Sequence, residues 1–273
     1  QRPRGYKCRA RLRAKELTES PRPGARARCH KTFAHDSSLK GAFMTTLTGK
    51  HILVTGATGG LGSRVCRELI AAGAVVSLAG RDETKLNAIS PSSARYTVDL
   101  ALPGAAQALV DAASAASPID GVIALHGVVA FGPAVEMPGE VSRTLTAVNL
   151  SSVIELISSV TPQLARAAEA GREPFIMTVS GIIADMPTTG MAAYGASKAG
   201  LKSFVQAASR ELRRQGVRLV DARPGHTNTD LSAHPIFGKA PAMAQGFDPD
   251  AVARRLVEAI VNDEKDVPSD AFA

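Results

Sequence analysis

Tyr194 and Lys198 stand four residues apart in Tyr194-Gly195-Ala196-Ser197-Lys198, a spacing that puts both on one face of a helix. A phenol with an ordinary pKa near ~10 is a poor acid or base at neutral pH. A nearby cation favours the phenolate and lowers that value toward the range useful for proton transfer. An isolated Tyr-x-x-x-Lys is also a common helix surface pair, so its meaning depends on what the rest of the chain places around it.

A second stretch supplies that context. Thr55-Gly56-Ala57-Thr58-Gly59-Gly60-Leu61-Gly62 lies between the apolar run His51-Ile52-Leu53-Val54 and a segment in which Val65, Leu69, Ile70 and Ala72 recur at helical spacing. Glycines between a buried strand and a helix start form a dinucleotide fingerprint. A pyrophosphate there meets free backbone N–H groups and the positive end of the helix dipole, and a Cβ would hold it off. Gly56 is expected to make the tight turn, Gly60 to allow the close approach, and Gly62 to let helix pack on strand. The second strand ends Leu78-Ala79-Gly80-Arg81-Asp82. Arg81 offers a planar fork suited to a ribose 2′-phosphate and so points to NADP. In the other reading Arg81 sits on the surface and Asp82 contacts the ribose of NAD.

The elements that position these groups alternate. Strands are expected over 51–55, 74–79, 94–98, 121–125, 174–179 and 217–222. Helices are expected over 61–72, 82–89, 103–116, 138–169 (broken or kinked near Pro162), 192–214, and a last one opened by Asp248-Pro249-Asp250. Strands joined by helical crossovers predict an α/β fold, a doubly wound parallel sheet of Rossmann type in one domain.

Taken in order, these motifs resemble the short-chain dehydrogenase/reductase family over about residues 47–265. The resemblance rests on Thr55-Gly56-x-x-x-Gly60-x-Gly62, Asp99-Leu100, Val148-Asn149-Leu150, Tyr194-x-x-x-Lys198 and Pro224-Gly225-x-x-x-Thr229-Asp230. It implies that Tyr194 exchanges the proton of a carbonyl or hydroxyl substrate. Lys198 would hold the nicotinamide ribose and lower the Tyr pKa, and Asn149 would position a relay water. Asp99 and Leu100 would lie beside the adenine, and Pro224, Gly225, Thr227 and Thr229 at the nicotinamide end. Gly56, Thr58, Gly60, Leu61, Gly62, Arg81 and Gly127 complete the implied cofactor site. The family's association through its long helices implies a homodimer or homotetramer through 141–160 and 194–212. Leu145, Val148, Val153 and Leu156 exceed what one buried stripe needs, though a core helix looks similar.

Two departures fall close to the site. Where the family has Asn-Asn-Ala-Gly, this chain has Ala124-Leu125-His126-Gly127; His126 either contacts the cofactor or is packed and hydrogen-bonded. Family members place a substrate-orienting serine thirteen residues before the tyrosine, and here that count lands on Gly181, with Ser180 fourteen away. A local bulge at the strand end would turn Ser180 inward to serve.

Composition narrows the function class. The net charge is +7, yet residues 1–43 carry twelve basic and three acidic side chains and the remainder is close to neutral. That tail reads as disordered. It is a targeting peptide, a basic arm for anionic surfaces, or sequence upstream of a natural start at Met44, the last being favoured. A nucleic-acid-binding protein is disfavoured because no aromatic and basic residues interleave. Cys8, Cys29 and Cys66 have no metal-type spacing and suggest a reducing, cytoplasmic setting without disulfides. No apolar run reaches the ~18–20 residues of a bilayer span. The expected activity is NADP-dependent interconversion of a small carbonyl compound and its alcohol. The competing class is a nucleotide-binding sensor or scaffold with little turnover. Neither substrate nor reaction direction is legible here, since both depend on the loops at 182–192 and 226–247.

Overall fold

The computed structural model describes residues 45–273, and the basic tail over residues 1–43 lies outside them. Six parallel strands form one sheet in the order β3-β2-β1-β4-β5-β6. The strands are β1 His51–Thr55, β2 Val75–Gly80, β3 Ala94–Thr97, β4 Gly121–Ala124, β5 Phe175–Val179 and β6 Arg218–Ala222. The helices are α1 Gly60–Ala71, α2 Glu83–Ile89, α3 Ala105–Ala116, α4 Gly139–Thr146, α5 Ser152–Glu169, α6 Ala192–Leu212 and α7 Pro249–Val261.

The sheet is central because its middle strands are apolar on both faces, as parallel strands covered on both sides must be. One face of β1 packs Ile52 and Val54 with Val65 and Leu69 of α1 and Val252 and Leu256 of α7. The other face packs Leu53 with Leu109 of α3, Leu156 and Val160 of α5 and Leu201 of α6. The order reverses between β1 and β4, which are direct neighbours. Ligands of open α/β sheets bind in the crevice at that switch, outside the carboxyl ends of the strands.

The last helix starts where Asp248-Pro249-Asp250 placed it. The Asp248 carboxylate accepts from the N–H groups of Asp250 and Ala251, with Pro249 in the first turn of α7. Asp82 does the same for α2 through the N–H of Lys85.

The long helix over 138–169 is interrupted, but not at Pro162. Pro162 lies inside the continuous helix α5, and the discontinuity is a π-helical turn, Ala147–Ser151, that joins α4 to α5. Such a turn holds one extra residue, and it commonly marks a functional site. The helical run Gly139–Glu169 is long and apolar enough by composition to cross a membrane. Its stripe of Val153, Leu156, Ile157, Val160 and Leu164 is buried against the sheet. Of the four residues that suggested self-association, Leu145, Val153 and Leu156 are buried within the protomer and Val148 lines the main cleft. They therefore contribute no surplus apolar face.

Candidate active site

A cleft of about 520 Å3 opens at the switch point between β1 and β4. Its walls include every residue of the expected catalytic and cofactor sites except Asn149. At one end lie the glycine loop, Arg81, Asp99 and Leu100, and toward the other lie Tyr194, Lys198 and the segment from Pro224 to Thr229.

The glycine loop is built as its spacing requires. Gly56 has φ +68°, and a Cβ on it would fall 2.5 Å from the backbone nitrogen of His126. Gly62 lies so close under the first turn that a Cβ would sit 2.1 Å from the Gly56 carbonyl oxygen. Neither position can hold a side chain, so turn and packing both depend on glycine. A Cβ on Gly60 would meet the Thr229 side chain at 2.8 Å; the close neighbour of Gly60 within the chain is thus the segment after β6. No side chain caps α1, and the N–H groups of Gly60, Leu61 and Gly62 in its first turn find no acceptor among the described residues. A helix start in that condition suits a phosphate. The loop thus fits a dinucleotide by a cradle that any Cβ would fill.

Arg81 is exposed on the cleft wall, and among the described residues its guanidinium forms no hydrogen bond or ion pair. Asp82 is engaged elsewhere, as the cap of α2 and 3.8 Å from the Lys85 ammonium. The Asp99 side chain accepts from the N–H of Ala101, which fixes the turn that brings Leu100 to the cleft.

Tyr194 and Lys198 both face this cleft from α6. The Tyr194 hydroxyl has no hydrogen-bond partner among the described residues, and the ring packs beside Ala130, Val141 and Leu145. Burial pushes its pKa up to about 12. Lys198 does not contribute to that shift. The Lys198 ammonium donates instead to the Val179 carbonyl at 2.9 Å. Burial brings Lys198 itself down to about 8, opposed by the Asp221 carboxylate. Gly127 leaves room for the Asn149 carboxamide behind it, since a Cβ there would lie 3.1 Å from Oδ1.

Asn149 is fully buried behind the cleft wall. Its side chain accepts from the Val128 N–H and donates to the Val128 carbonyl, both at 2.9 Å, and it also donates to Ser197 Oγ at 3.1 Å. The π turn presents it, and its carboxamide clamps the backbone just after Gly127 to α6. The side chain supports the site from behind and does not line it.

His126 takes the second of its two readings. Its Nδ1 pairs with Thr55 Oγ1 at 2.7 Å, and its Nε2 pairs with Ser152 Oγ at 2.8 Å. Ser152 donates its single hydroxyl proton to the Val148 carbonyl. Nε2 must therefore carry the ring proton, and Nδ1 accepts from Thr55. Burial, aided by the Lys198 charge, holds the imidazole down at about 4, so it is neutral. One imidazole thus ties the end of β1 to the start of α5, where the family pattern has amides.

Ser180 lines the cleft, with its hydroxyl engaged by a partner on the neighbouring strand. Its side chain is only 1% exposed, and its hydroxyl donates to Asp221 Oδ2 at 2.5 Å. Asp221 lies on the neighbouring strand β6, where its other oxygen accepts from Thr178 Oγ1 at 2.7 Å and from the Ser180 N–H. Burial raises the Asp221 pKa, and these hydrogen bonds and Arg223 oppose the rise. Arg223 in turn forms a two-pronged pair with Asp266 at 2.7 Å and meets Asp185 at 2.8 Å. Sequence reasoning missed this network; Asp221 within the apolar run of β6, and Arg223 just beyond it, were its signal. Gly181, at the usual serine position, has φ +78° and only the Pro224 carbonyl near a would-be Cβ, at 3.6 Å.

Comparison with known proteins agrees with this arrangement. The family model described as short chain dehydrogenase matches residues 50–235. A short chain dehydrogenase of Pseudocercospora fijiensis is 27% identical over 201 residues, covering 70% of this chain; the chain spans 64% of that protein's length. A solved short-chain dehydrogenase from Sphingobium yanoikuyae in complex with NADPH superposes with a TM-score of 0.72 at 21% identity, covering 80% of this chain and 87% of that one. A 3-ketoacyl-(acyl-carrier-protein) reductase from Brucella melitensis complexed with NADH gives 0.74 at 21% identity, covering 81% and 97%.

Proposed function

The chain belongs to the short chain dehydrogenase family, a family of oxidoreductases that use a nicotinamide dinucleotide, and from that premise we propose that it interconverts a small carbonyl compound and its alcohol with NADP. The observation that carries the reading is one cleft holding an uncapped glycine-loop helix start, an Arg81 without a partner among the described residues, and the Tyr194 phenol. The cofactor supplies a hydride to, or takes one from, the substrate carbon.

The chain's own groups do the rest. The first-turn amides of α1 and the Arg81 fork receive phosphate, Arg81 taking the 2′-phosphate that NAD lacks. Asp82 caps α2 and is not part of the cleft wall, which favours NADP. Tyr194 gives its proton to the carbonyl oxygen in reduction and takes one in oxidation. With the phenol held near 12, the protonated form prevails at neutral pH, so Tyr194 enters reduction as the proton donor, although burial makes it a weaker acid than an ordinary phenol. Lys198 holds the nicotinamide ribose and Asn149 holds the wall beside Gly127. Ser180 secures the end of β5 through Asp221, and Tyr194 is the hydroxyl that meets the reacting oxygen.

The second reading is a cofactor binder with little turnover. The high Tyr194 pKa and the engaged Ser180 favour it. Titration with NADPH and NADH, followed by a panel of ketones and aldehydes, separates the two. Turnover that Tyr194→Phe removes while NADPH still binds supports the enzyme; tight binding with no turnover supports the binder. Assembly as a homo-oligomer in the cytoplasm is part of the same proposal, with sedimentation mass as the check on assembly.

A further inference from the structure

The end of the cleft beyond Tyr194 differs in chemistry from the end that fits the dinucleotide. It is walled by three segments, 128–131, 182–191 and 226–243, which bring Phe131, Ile183, Met191, Leu231 and Met243 to the cavity. Among the described residues, the charged side chains lining the cleft are Arg81, Asp99 and Lys198, and none comes from these segments. Their polar contributions are Thr188, His226, Thr227, Thr229 and Ser232.

Two of the apolar residues are left in water. Leu231 is 43% and Met243 38% exposed, although both belong to the cavity wall. The segment that carries them is tied down. The Ile236 N–H donates to the Val129 carbonyl at 2.9 Å, the Phe131 N–H to the Phe237 carbonyl at 3.0 Å, and Thr227 pairs with Phe247 in a short parallel bridge. The Asn228 side chain donates to the Gly246 carbonyl and accepts from its N–H. Leu231 and Met243 are therefore held at a built wall, and apolar area held there is covered by whatever fills the cavity. At Gly181 the missing side chain widens the same region, since a Cβ would find only one neighbour, at 3.6 Å.

From this juxtaposition we infer that the substrate is an uncharged carbonyl compound bearing an apolar chain of several carbons, not a carboxylate or phosphate. A carboxylate or phosphate entering this end would lose its hydration with no arginine or lysine in the wall to replace it. An alkyl chain would bury Leu231 and Met243 and itself. The inference rests on the carbonyl-reductase reading above, and the test keeps the two apart.

Kinetics with NADPH are measured for straight-chain 2-alkanones from butan-2-one to decan-2-one, and for an oxo acid matched in length to the longest. In parallel, calorimetric titration of the NADP-saturated protein with the same compounds reads binding without turnover. Each added methylene should raise kcat/KM and the association constant about three- to fourfold until the cavity is full. The oxo acid should fall at least tenfold below its neutral counterpart. Replacing both wall residues, Leu231→Ser with Met243→Ser, should flatten the chain-length slope while NADPH affinity is kept. Turnover with no dependence on chain length, or an oxo acid preferred over the neutral ketone, overturns the inference and leaves the reductase reading standing. A chain-length slope in binding with no turnover of any member supports the apolar site and overturns the reductase reading.

Discussion

Removing the Ser180 hydroxyl discriminates between two roles that differ sharply in size. In the structure that hydroxyl donates to the buried Asp221 carboxylate, which keeps partners in Thr178 and the Ser180 N–H. A hydrogen bond to a charged acceptor contributes ~1.5–3 kcal/mol. Ser180→Ala should therefore destabilise the fold by that amount, a fall in Tm of roughly 4–10 °C for a domain of this size. Turnover, measured well below the new Tm with NADPH and a ketone, should change by less than about threefold. The companion substitution Gly181→Ser restores the thirteen-residue spacing to Tyr194 but forces a side chain onto φ +78°. It should cost ~1–2 kcal/mol and bring no gain in rate. A ~10²-fold loss of turnover in Ser180→Ala with an unchanged Tm would refute this reasoning, because that is the effect of losing a donor aimed at developing charge.

Three further outcomes are expected. Arg81→Ala should weaken NADPH binding by ~1.5–3 kcal/mol and leave NADH nearly untouched, read by fluorescence titration; equal losses for both would remove Arg81 from the 2′-phosphate. His126, held at about 4 instead of 6.5, is neutral when folded. Between those values the unfolded chain binds the proton that the folded protein refuses, so its share of stability, ~3 kcal/mol, is intact above pH 6.5 and gone below pH 4. His126→Ala should flatten that part of the acid unfolding profile, and an unchanged slope would show that the ring is not buried neutral. With Tyr194 near 12, alcohol oxidation should rise steeply from pH 7 to 10 while carbonyl reduction does not; a reduction rate that falls through pH 7–8 would mean the phenol titrates far lower in the working complex.

The sheet and its order of elements were legible because buried parallel strands are short apolar runs, and such runs alternate here with helical spacing. The glycine loop was legible for a different reason: Gly56 and Gly62 lie where backbone meets backbone, so residue type and geometry are one fact. What the sequence concealed depends on partners far along the chain. Which way Ser180 turns is decided by a carboxylate 41 residues later on the adjacent strand. The Tyr194 pKa is set by how deeply the ring is buried, which four-residue spacing does not encode. Proline is the visible helix breaker, so the sequence points to Pro162. The π turn instead answers a tertiary demand, the placement of Asn149 against Val128.

That turn makes this stretch of the chain intolerant of changes in length. In a regular helix each residue rotates the next by ~100°, and the π turn absorbs one surplus residue in a widened turn, so that α4 and α5 remain one continuous run. Val141 and Leu145 face one cluster and Val153, Leu156 and Val160 another, so the two stripes are phased independently. Deleting any single residue of Ala147–Ser151 would let the hydrogen bonds relax to ordinary α spacing. The flanking helices would keep nearly their present phase, because the wide turn had absorbed the surplus residue, but Asn149 would be drawn off the backbone it clamps. Substitutions across these five positions alter composition, but a one-residue deletion removes the wide turn that presents Asn149, and no side-chain change elsewhere can restore it.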